Sequence, residues 1–437
     1  MTDKKKIQAP RGVHDILPDE QKYWFWVENN FREAAQAAGF ERIIIPTFEA
    51  TELFKRSVGE FTDIVSKEMY SFKDKSANSL TLRPEGTAGV ARAYIEHGMQ
   101  TMPQPVQLYY WGPMFRYDRP QAGRYREFYQ CGLELLGDYD PIVDAMLIQT
   151  VAKFHKKLGM QDIVIKINSL GTERAKGKMM TALGKLLERN KKDLCADCKL
   201  RLKKNPLRVL DCKTGKCREI LDKISPSLID SLDDESKKRF TKVLEYLDEM
   251  RVEYELDPKL VRGLDYYTHT VFEVVARSNE ELSLGGGGRY DTLVKQLGGP
   301  DTPAFGYAGG VERVIDILKQ QALAVPDLIQ SDVFIVQLGD RAKPKAIEVV
   351  EKLELANLRI SSALGRGSIQ TQLRLAAKLH TPLTIIIGDQ EVHDKNVIIR
   401  DMEDRSQETV IDRDMVKITL KKLEEKGLRV PTIYESR

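Results

Sequence analysis

Apolar residues at Trp24, Val27, Phe31, Ala34, Ala35 and Ala38 mark one face of a helix, so Gln21 to Ala38 is expected to be amphipathic, with Gly39 ending it. A strand from Glu41 to Pro46 should follow. Residues 69–85 read as a hairpin with a polar turn around Asp74 to Asn78, and Thr87 to His97 reads as a helix. Strand formers at Leu108 to Trp111 and Phe128 to Cys131 flank a long loop that Pro120 and Gly123 break. Residues 141–158 are helix-like and 162–168 strand-like. The segment 172–255 is rich in lysine, arginine, aspartate and glutamate, and is expected to be a mostly helical insertion. A strand begins near Thr270, and a helix ends near Gln320.

The segment 321–332, with its proline and polar end, reads as a linker. Beyond it come strand 333–338, helix 343–356, strand 358–363, helix 367–380 and strand 383–387. A hairpin from Val397 to Val410, turning at Glu403 to Ser406, and a last basic helix complete the pattern. Such alternation implies a separate α/β domain with a partly parallel sheet. The expected organisation is α/β overall: an α+β core over 1–325 and a second domain over 333–437.

Composition narrows the class. With 437 residues, 42% hydrophobic and 30% charged, the chain has the make-up of an ordinary globular protein with room for two or three cores. No apolar run reaches the roughly 20 residues of a membrane helix. The start, MTDKKKIQAPRG, lacks the apolar stretch of a secretory signal, so the chain is expected in the cytoplasm with no membrane partner. Five cysteines are poor material for a disulfide framework. A net charge of +3 predicts no strong overall field, so a nucleic acid would have to be met by local basic faces. The lysines and arginines of 172–255 offer one, or simply a solvated surface.

Four arginines, Arg116, Arg119, Arg124 and Arg126, sit between the strands of the long hairpin. Planar, permanently charged guanidinium forks suit a polyphosphate; a solvated charged hairpin is the plainer alternative. On the outgoing strand Gln130 and Glu134 share a face, with Gly132 leaving an opening between them for a small polar molecule. Pro84 puts Glu85 and Thr87 at a strand end, where a carboxylate can hold an ammonium group or cap the helix that follows. Arg262, Asp265, Tyr266, Tyr267 and His269 crowd polar and aromatic chemistry into the lead-in of a strand. The glycines of Leu284 to Asp291 allow close backbone approach to a ligand or another strand. Cys195-x-x-Cys198 and Cys212-x4-Cys217 could supply four zinc ligands or be free thiols.

The hairpin's F-R, arginine loop and R-x-x-x-F-x-Q-x-G-x-E closely resemble motif 2 of class II aminoacyl-tRNA synthetases. The helix, Gly39, Phe40, strand and Pro46 resemble motif 1, the dimer interface of that class, and Ala304 to Glu312 with Arg313 resembles motif 3. Arg262 to Glu273 (RGLDYYTHTVFE) and Gly285 to Asp291 (GGGGRYD) resemble the two sequences characteristic of histidyl-tRNA synthetases, whose start the segment Pro10 to Pro18 also resembles. The C-terminal pattern is similar to that family's anticodon-binding domain.

The resemblance implies a class II antiparallel sheet with flanking helices, and a ligase that activates histidine with ATP and Mg2+ before transfer to histidine tRNA. It implies ATP contacts at Arg116, Arg124 and Arg313, and a catalytic role for Arg262 at the α-phosphate and substrate carboxylate. No metal-ligand role in catalysis is implied for the protein. Glu85, Thr87, Gln130 and Glu134 would hold the ammonium and imidazole, with Tyr266, Tyr267 and Tyr290 as walls, although each tyrosine is also compatible with plain core packing. A homodimer is implied by motif 1. The alternative within the resemblance is a catalytically inactive histidine-binding regulator or RNA-binding paralogue.

Overall fold

The computed structural model describes residues 7–59, 62–119, 123–224, 232–327, 331–365 and 367–428. Pro120 and residues 328–330 of the expected linker lie outside them. The chain divides into two units, 1–326 and 327–437.

The first unit opens with α1 (Gln21–Ala37), which buries Trp24, Val27, Phe31, Ala34 and Ala35 before Gly39 turns the chain at φ +86°. Strand β1 (Glu41–Arg42) is shorter than the pattern predicts. It pairs in parallel only at Glu41 and Arg42; farther on, the Arg83 guanidinium takes the Ile45 carbonyl at 2.6 Å, where a partner strand would otherwise bond. Next come β2 (Phe48–Ala50), α2 (Thr51–Val58), β3 (Ser71–Lys73) and β4 (Ser79–Leu82), the strands forming a small sheet ordered β2-β4-β3. The turn between β3 and β4 is set by Asp74, whose Oδ1 accepts from the amides of Ser76 and Asn78, both at 2.8 Å.

Helix α3 (Thr87–Glu96) leads to the long hairpin of β5 (Val106–Phe115) and β6 (Glu127–Leu136), paired antiparallel along their whole length. Then follow α4 (Pro141–Lys157), β7 (Ile163–Ser169), α5 (Glu173–Arg189), α6 (Ala196–Lys204), α7 (Gly215–Ile224), α8 (Asp234–Glu249) and β8 (Tyr254–Leu256). The unit closes with β9 (Thr268–Ala276), β10 (Asn279–Arg289), α9 (Leu293–Gln296), β11 (Ala304–Gly310) and α10 (Val311–Gln320). The main sheet runs β1-β5-β6-β11-β10-β9-β7-β8, antiparallel except for its two edge pairs.

Strand alternation gives this sheet two different faces. Tyr109, Phe272, Phe305 and Tyr307 share one core with Phe31 of α1, Val151 and Phe154 of α4, Phe240 and Val243 of α8, and Val314 of α10. Tyr110, Tyr266, Tyr267 and Tyr290 belong to the other, with Tyr94 of α3 and Leu183, Leu187 and Leu202 of α5 and α6. The helical segment 172–255 therefore divides in its packing, α8 joining the first core and α5 to α7 the second. The glycine run lies inside β10, hydrogen-bonded between β9 and β11, where a Cβ on Gly285 would stand 2.7 Å from the Gly309 Cα. On β11 the small residues Ala308 and Gly310 leave the sheet surface bare, and a cleft opens there.

The second unit contains β12 (Val333–Gln337), α11 (Ala342–Leu355), β13 (Ile360–Ser362), α12 (Ile369–Lys378), β14 (Leu383–Ile387), α13 (Asp389–Asp394), β15 (Asn396–Asp401), β16 (Gln407–Ile411) and α14 (Met415–Glu425). Its sheet, β13-β12-β14-β15-β16, is parallel in the first three strands and antiparallel in the last two. The short α13 is absent from the periodicity reading. It is started by Glu391, whose carboxylate accepts from the Gly388 amide at 2.8 Å. No described helix is long and apolar enough to cross a membrane.

Candidate active site

The cleft over β11 measures about 220 Å³. Arg116, Arg124, Arg262 and Arg313 line it, together with Glu85, Thr87, Gln130, Tyr266, Tyr267 and Tyr290. These residues come from the hairpin, the start of α3, the lead-in to β9, the end of β10 and the start of α10. Of the four hairpin arginines only Arg116 and Arg124 take part. Arg126 lies over the Tyr117 ring, 3.9 Å from its centroid, and Arg119 is exposed and does not line the cleft.

The cations are held in different ways. Arg116 donates to the Pro84 carbonyl at 2.8 Å and lies over Phe128, and Arg313 donates to the carbonyls of Ser283 at 2.7 Å and Gly123 at 3.1 Å. Bonds to neutral carbonyls orient both guanidiniums without cancelling their charge. Burial, then the charges of Arg124 and Arg116, push the Arg313 pKa down. Arg124 pairs with Asp118 at 3.1 Å and Arg262 with Glu273 at 3.1 Å. Burial opposes the Arg262 charge, but Glu273 and the neighbouring tyrosines and Asp211 raise its pKa on balance. Four guanidiniums around one small cleft suit a ligand carrying several phosphates.

The other end is polar and aromatic. The Glu85 carboxylate accepts from the amides of Thr87 at 2.7 Å and Ala88 at 2.9 Å, so it caps α3 and lines the cleft at once. Burial nevertheless raises its pKa. Glu134 lies under the cleft rather than in its lining and is fully buried. It accepts from the Thr87 hydroxyl at 2.6 Å and from the Tyr290 hydroxyl. Burial pushes it up to about 8, the two hydrogen bonds holding it below what burial alone would impose. The rings of Tyr266 and Tyr267 are 4.7 Å apart, and those of Tyr266 and Tyr290 5.6 Å. Gln130 Oε1 is buried and without a hydrogen-bond partner among the described residues, an acceptor left for a ligand.

One expectation fails. Gly132 leaves no opening between Gln130 and Glu134, because Tyr110 stands directly opposite it on β5 and fills the space; a Cβ on Gly132 would run into that ring. The opening lies one strand over, at Ala308 and Gly310; at Gly306 the Glu134 carboxylate and the Tyr290 ring fill the space. Asp265 and His269 are also outside the cleft. Asp265 accepts from Asn205 at 2.9 Å, and His269 meets the Tyr139 hydroxyl at 3.3 Å. Reading the sequence missed Glu273, Asp118 and Glu312. Glu273, a lone charge amid the apolar run of β9, was the most legible of them. Glu312 lines the cleft and takes the Tyr129 amide at 2.8 Å, tying α10 to β6.

Residues 12–314 match the family model described as histidyl-tRNA synthetase, and 332–426 match the anticodon binding domain. The chain belongs to the histidyl-tRNA synthetase family. A histidine–tRNA ligase of Caldicellulosiruptor bescii is 44% identical over 93% of this chain and 96% of its own length. One from Caldicellulosiruptor saccharolyticus is 45% identical over 93% of this chain and 97% of its own. The crystal structure of the apo S. aureus histidyl-tRNA synthetase is similar at a TM-score of 0.80 with 36% identity, over 95% of this chain and all of that one. The antiparallel sheet with its flanking helices is thus the catalytic fold of the synthetase family, and the second unit contains the anticodon-binding domain.

Proposed function

We propose that this chain joins histidine to the 3′ end of histidine tRNA in two steps at the cleft. A carboxylate oxygen of histidine attacks the α-phosphorus of ATP, forming the new P–O bond of histidyl-adenylate as the bond to the bridging oxygen breaks, and pyrophosphate leaves with that electron pair. The terminal ribose hydroxyl of the tRNA then attacks the histidyl carbonyl carbon, gives up its proton, and AMP departs. Neither step needs a protein nucleophile, so the side chains act by position and charge. Magnesium comes with ATP as part of the substrate.

Arg116 and Arg313, which are oriented by backbone carbonyls rather than by a direct carboxylate ion pair among the described residues, hold the phosphates, with Arg124 assisting from the hairpin loop. Arg262 is the catalytic cation. Oriented by Glu273, it faces the α-phosphate and the substrate carboxylate and stabilises the charge that grows on the pentavalent phosphorus. Glu85, Thr87, Gln130 and Glu134 take the ammonium and imidazole of histidine, between the rings of Tyr266, Tyr267 and Tyr290. Such a site rejects apolar amino acids because they leave its buried polar groups unpaired.

The observation that carries this reading is the meeting of four arginines with Glu85, Gln130 and three tyrosines around one cleft in a chain of this family. In the same reading the enzyme works in the cytoplasm as a homodimer formed through the motif 1 segment. Supporting that surface are the exposed apolar side chains of Phe25, Ile44 and Phe48, at 59%, 79% and 52% exposure, beside the edge strand β1.

The deciding experiment is histidine-dependent exchange of labelled pyrophosphate into ATP with magnesium and no tRNA. Exchange supports the assignment. Histidine binding without exchange would instead mean an inactive regulator on the same fold, and light scattering tests the dimer.

A further inference from the structure

We propose that Cys195, Cys198, Cys212 and Cys217 form a structural zinc site that fixes the helical segment α5 to α7 against the active site. All four sulfurs lie within 4.8 Å of one another, and Cys195 Sγ and Cys212 Sγ are 3.9 Å apart. Four thiolates at the usual zinc–sulfur distance form a tetrahedron with edges of about 3.8 Å, so the spacing already approximates the metal geometry. It is far too long for disulfides, and all four cysteines are free thiols.

Backbone geometry argues the same way. The Cys195 amide donates to Cys217 Sγ at 3.3 Å, the Cys198 amide to Cys195 Sγ at 3.4 Å, and the Thr214 amide to Cys212 Sγ at 3.4 Å. Thiols serving only as small apolar filler need neither convergence on one point nor amides directed at them. Amide donors to sulfur are what stabilise metal-bound thiolates. Binding of Zn2+ releases four protons to solvent and leaves a net charge of −2. From 191 to 218 the chain carries ten lysines and arginines against three aspartates, a setting that favours that charge. Mononuclear zinc fits better than an iron–sulfur cluster, whose inorganic core would spread the four sulfurs apart.

The consequence reaches the cleft. Between the two cysteine pairs, Asn205 donates to Asp265 Oδ1 at 2.9 Å and Arg208 donates to the Gly263 carbonyl. From α5, Lys176 donates to the carbonyls of Asp265 at 2.7 Å and Tyr267 at 2.9 Å. Residues 262–267 bring Arg262 and the paired tyrosines to the site, so a metal that closes the loop between Cys195 and Cys217 also holds that segment from outside.

The test is metal analysis of the full-length protein purified under reducing conditions. One zinc per chain is expected, released on titration of the thiols with an organomercurial. Cobalt taken up by the stripped protein should show the visible bands and thiolate charge-transfer absorption of a tetrahedral four-sulfur site. The Cys198→Ser/Cys212→Ser variant should carry no zinc, whereas Cys131→Ser keeps it. Failure of the wild type to hold or take up either metal, iron in place of zinc, disulfides by intact mass, or zinc retained by the double variant would each overturn the proposal. Since the wild-type measurement needs no variant to fold and no activity, it stands apart from the test of histidine activation.

Discussion

Tyr290→Phe isolates the buried carboxylate. It keeps the ring between Tyr266 and Glu134 and removes one of the two donors to Glu134, leaving the Thr87 hydroxyl at 2.6 Å. A hydrogen bond to a charged acceptor contributes about 1.5–3 kcal/mol. Losing it raises the Glu134 pKa by a further one to two units, at about 1.4 kcal/mol per unit. With the wild-type carboxyl at about 8, roughly a quarter of it is ionised at pH 7.5. In the variant that fraction falls by about eightfold to eightyfold. If Glu134 meets histidine as a carboxylate, the KM for histidine in pyrophosphate exchange rises by that factor at pH 7.5 and by only a few-fold at pH 9.5, where the variant's carboxyl ionises as well. Taking the ratio of variant to wild type at each pH cancels the titration of histidine itself. A ratio that is flat with pH would refute the reasoning, because Tyr290 would then act on the substrate directly and not through Glu134.

Arg262→Ala should lower the rate of adenylate formation by about 10²- to 10³-fold, the usual cost of one preorganised charge-stabilising donor, with a much smaller effect on histidine affinity by calorimetry. Arg262→Lys should restore little, lacking the fork, and equal loss of rate and affinity would contradict the assigned role. Gly286→Ala places a Cβ 2.6 Å from the Phe272 carbonyl oxygen and 2.7 Å from Arg262 Nη1. Since that oxygen belongs to the paired strand, the sheet must shift, and a loss of about 1–3 kcal/mol should appear as a lower Tm together with reduced exchange. A Tm equal to wild type would show that β10 yields without strain. Glu312 is held at about 7, above its ordinary 4.5, chiefly by burial. Its contribution to stability is therefore complete below pH 4.5 and is lost as pH rises through about 7, up to about 3 kcal/mol. Glu312→Gln can still accept from the Tyr129 amide and should flatten that part of the pH profile; an unchanged slope in thermal unfolding from pH 5 to 8 would count against it.

Local pattern determined much of the architecture. Helical spacing located α1, the cluster of turn formers at Asp74 to Asn78 located the β3–β4 turn, and the alternation after 332 located the parallel strands of the second unit, because these depend on neighbours within a turn or a strand. The types of residue needed for a polyphosphate and a small polar ligand were visible for the same reason. Their arrangement was not. Thr87 and Tyr290 lie 47 and 156 positions from Glu134, and only the pairing of β6, β11 and β10 together with the packing of α3 against that sheet brings the three together. The register of β5 against β6 decided that Tyr110 fills the space at Gly132, and the fold of the loop between them decided that Arg116 and Arg124 face the cleft while Arg126 stacks on Tyr117. The two cysteine pairs show the same division. Their spacing left both zinc and free thiols open, with the wide second pair favouring thiols, and the packing of α6 and α7 set four sulfurs around one point. A chain's periodicity chooses which face a residue takes, but what it meets there depends on pairings remote in sequence, which only the folded structure supplies.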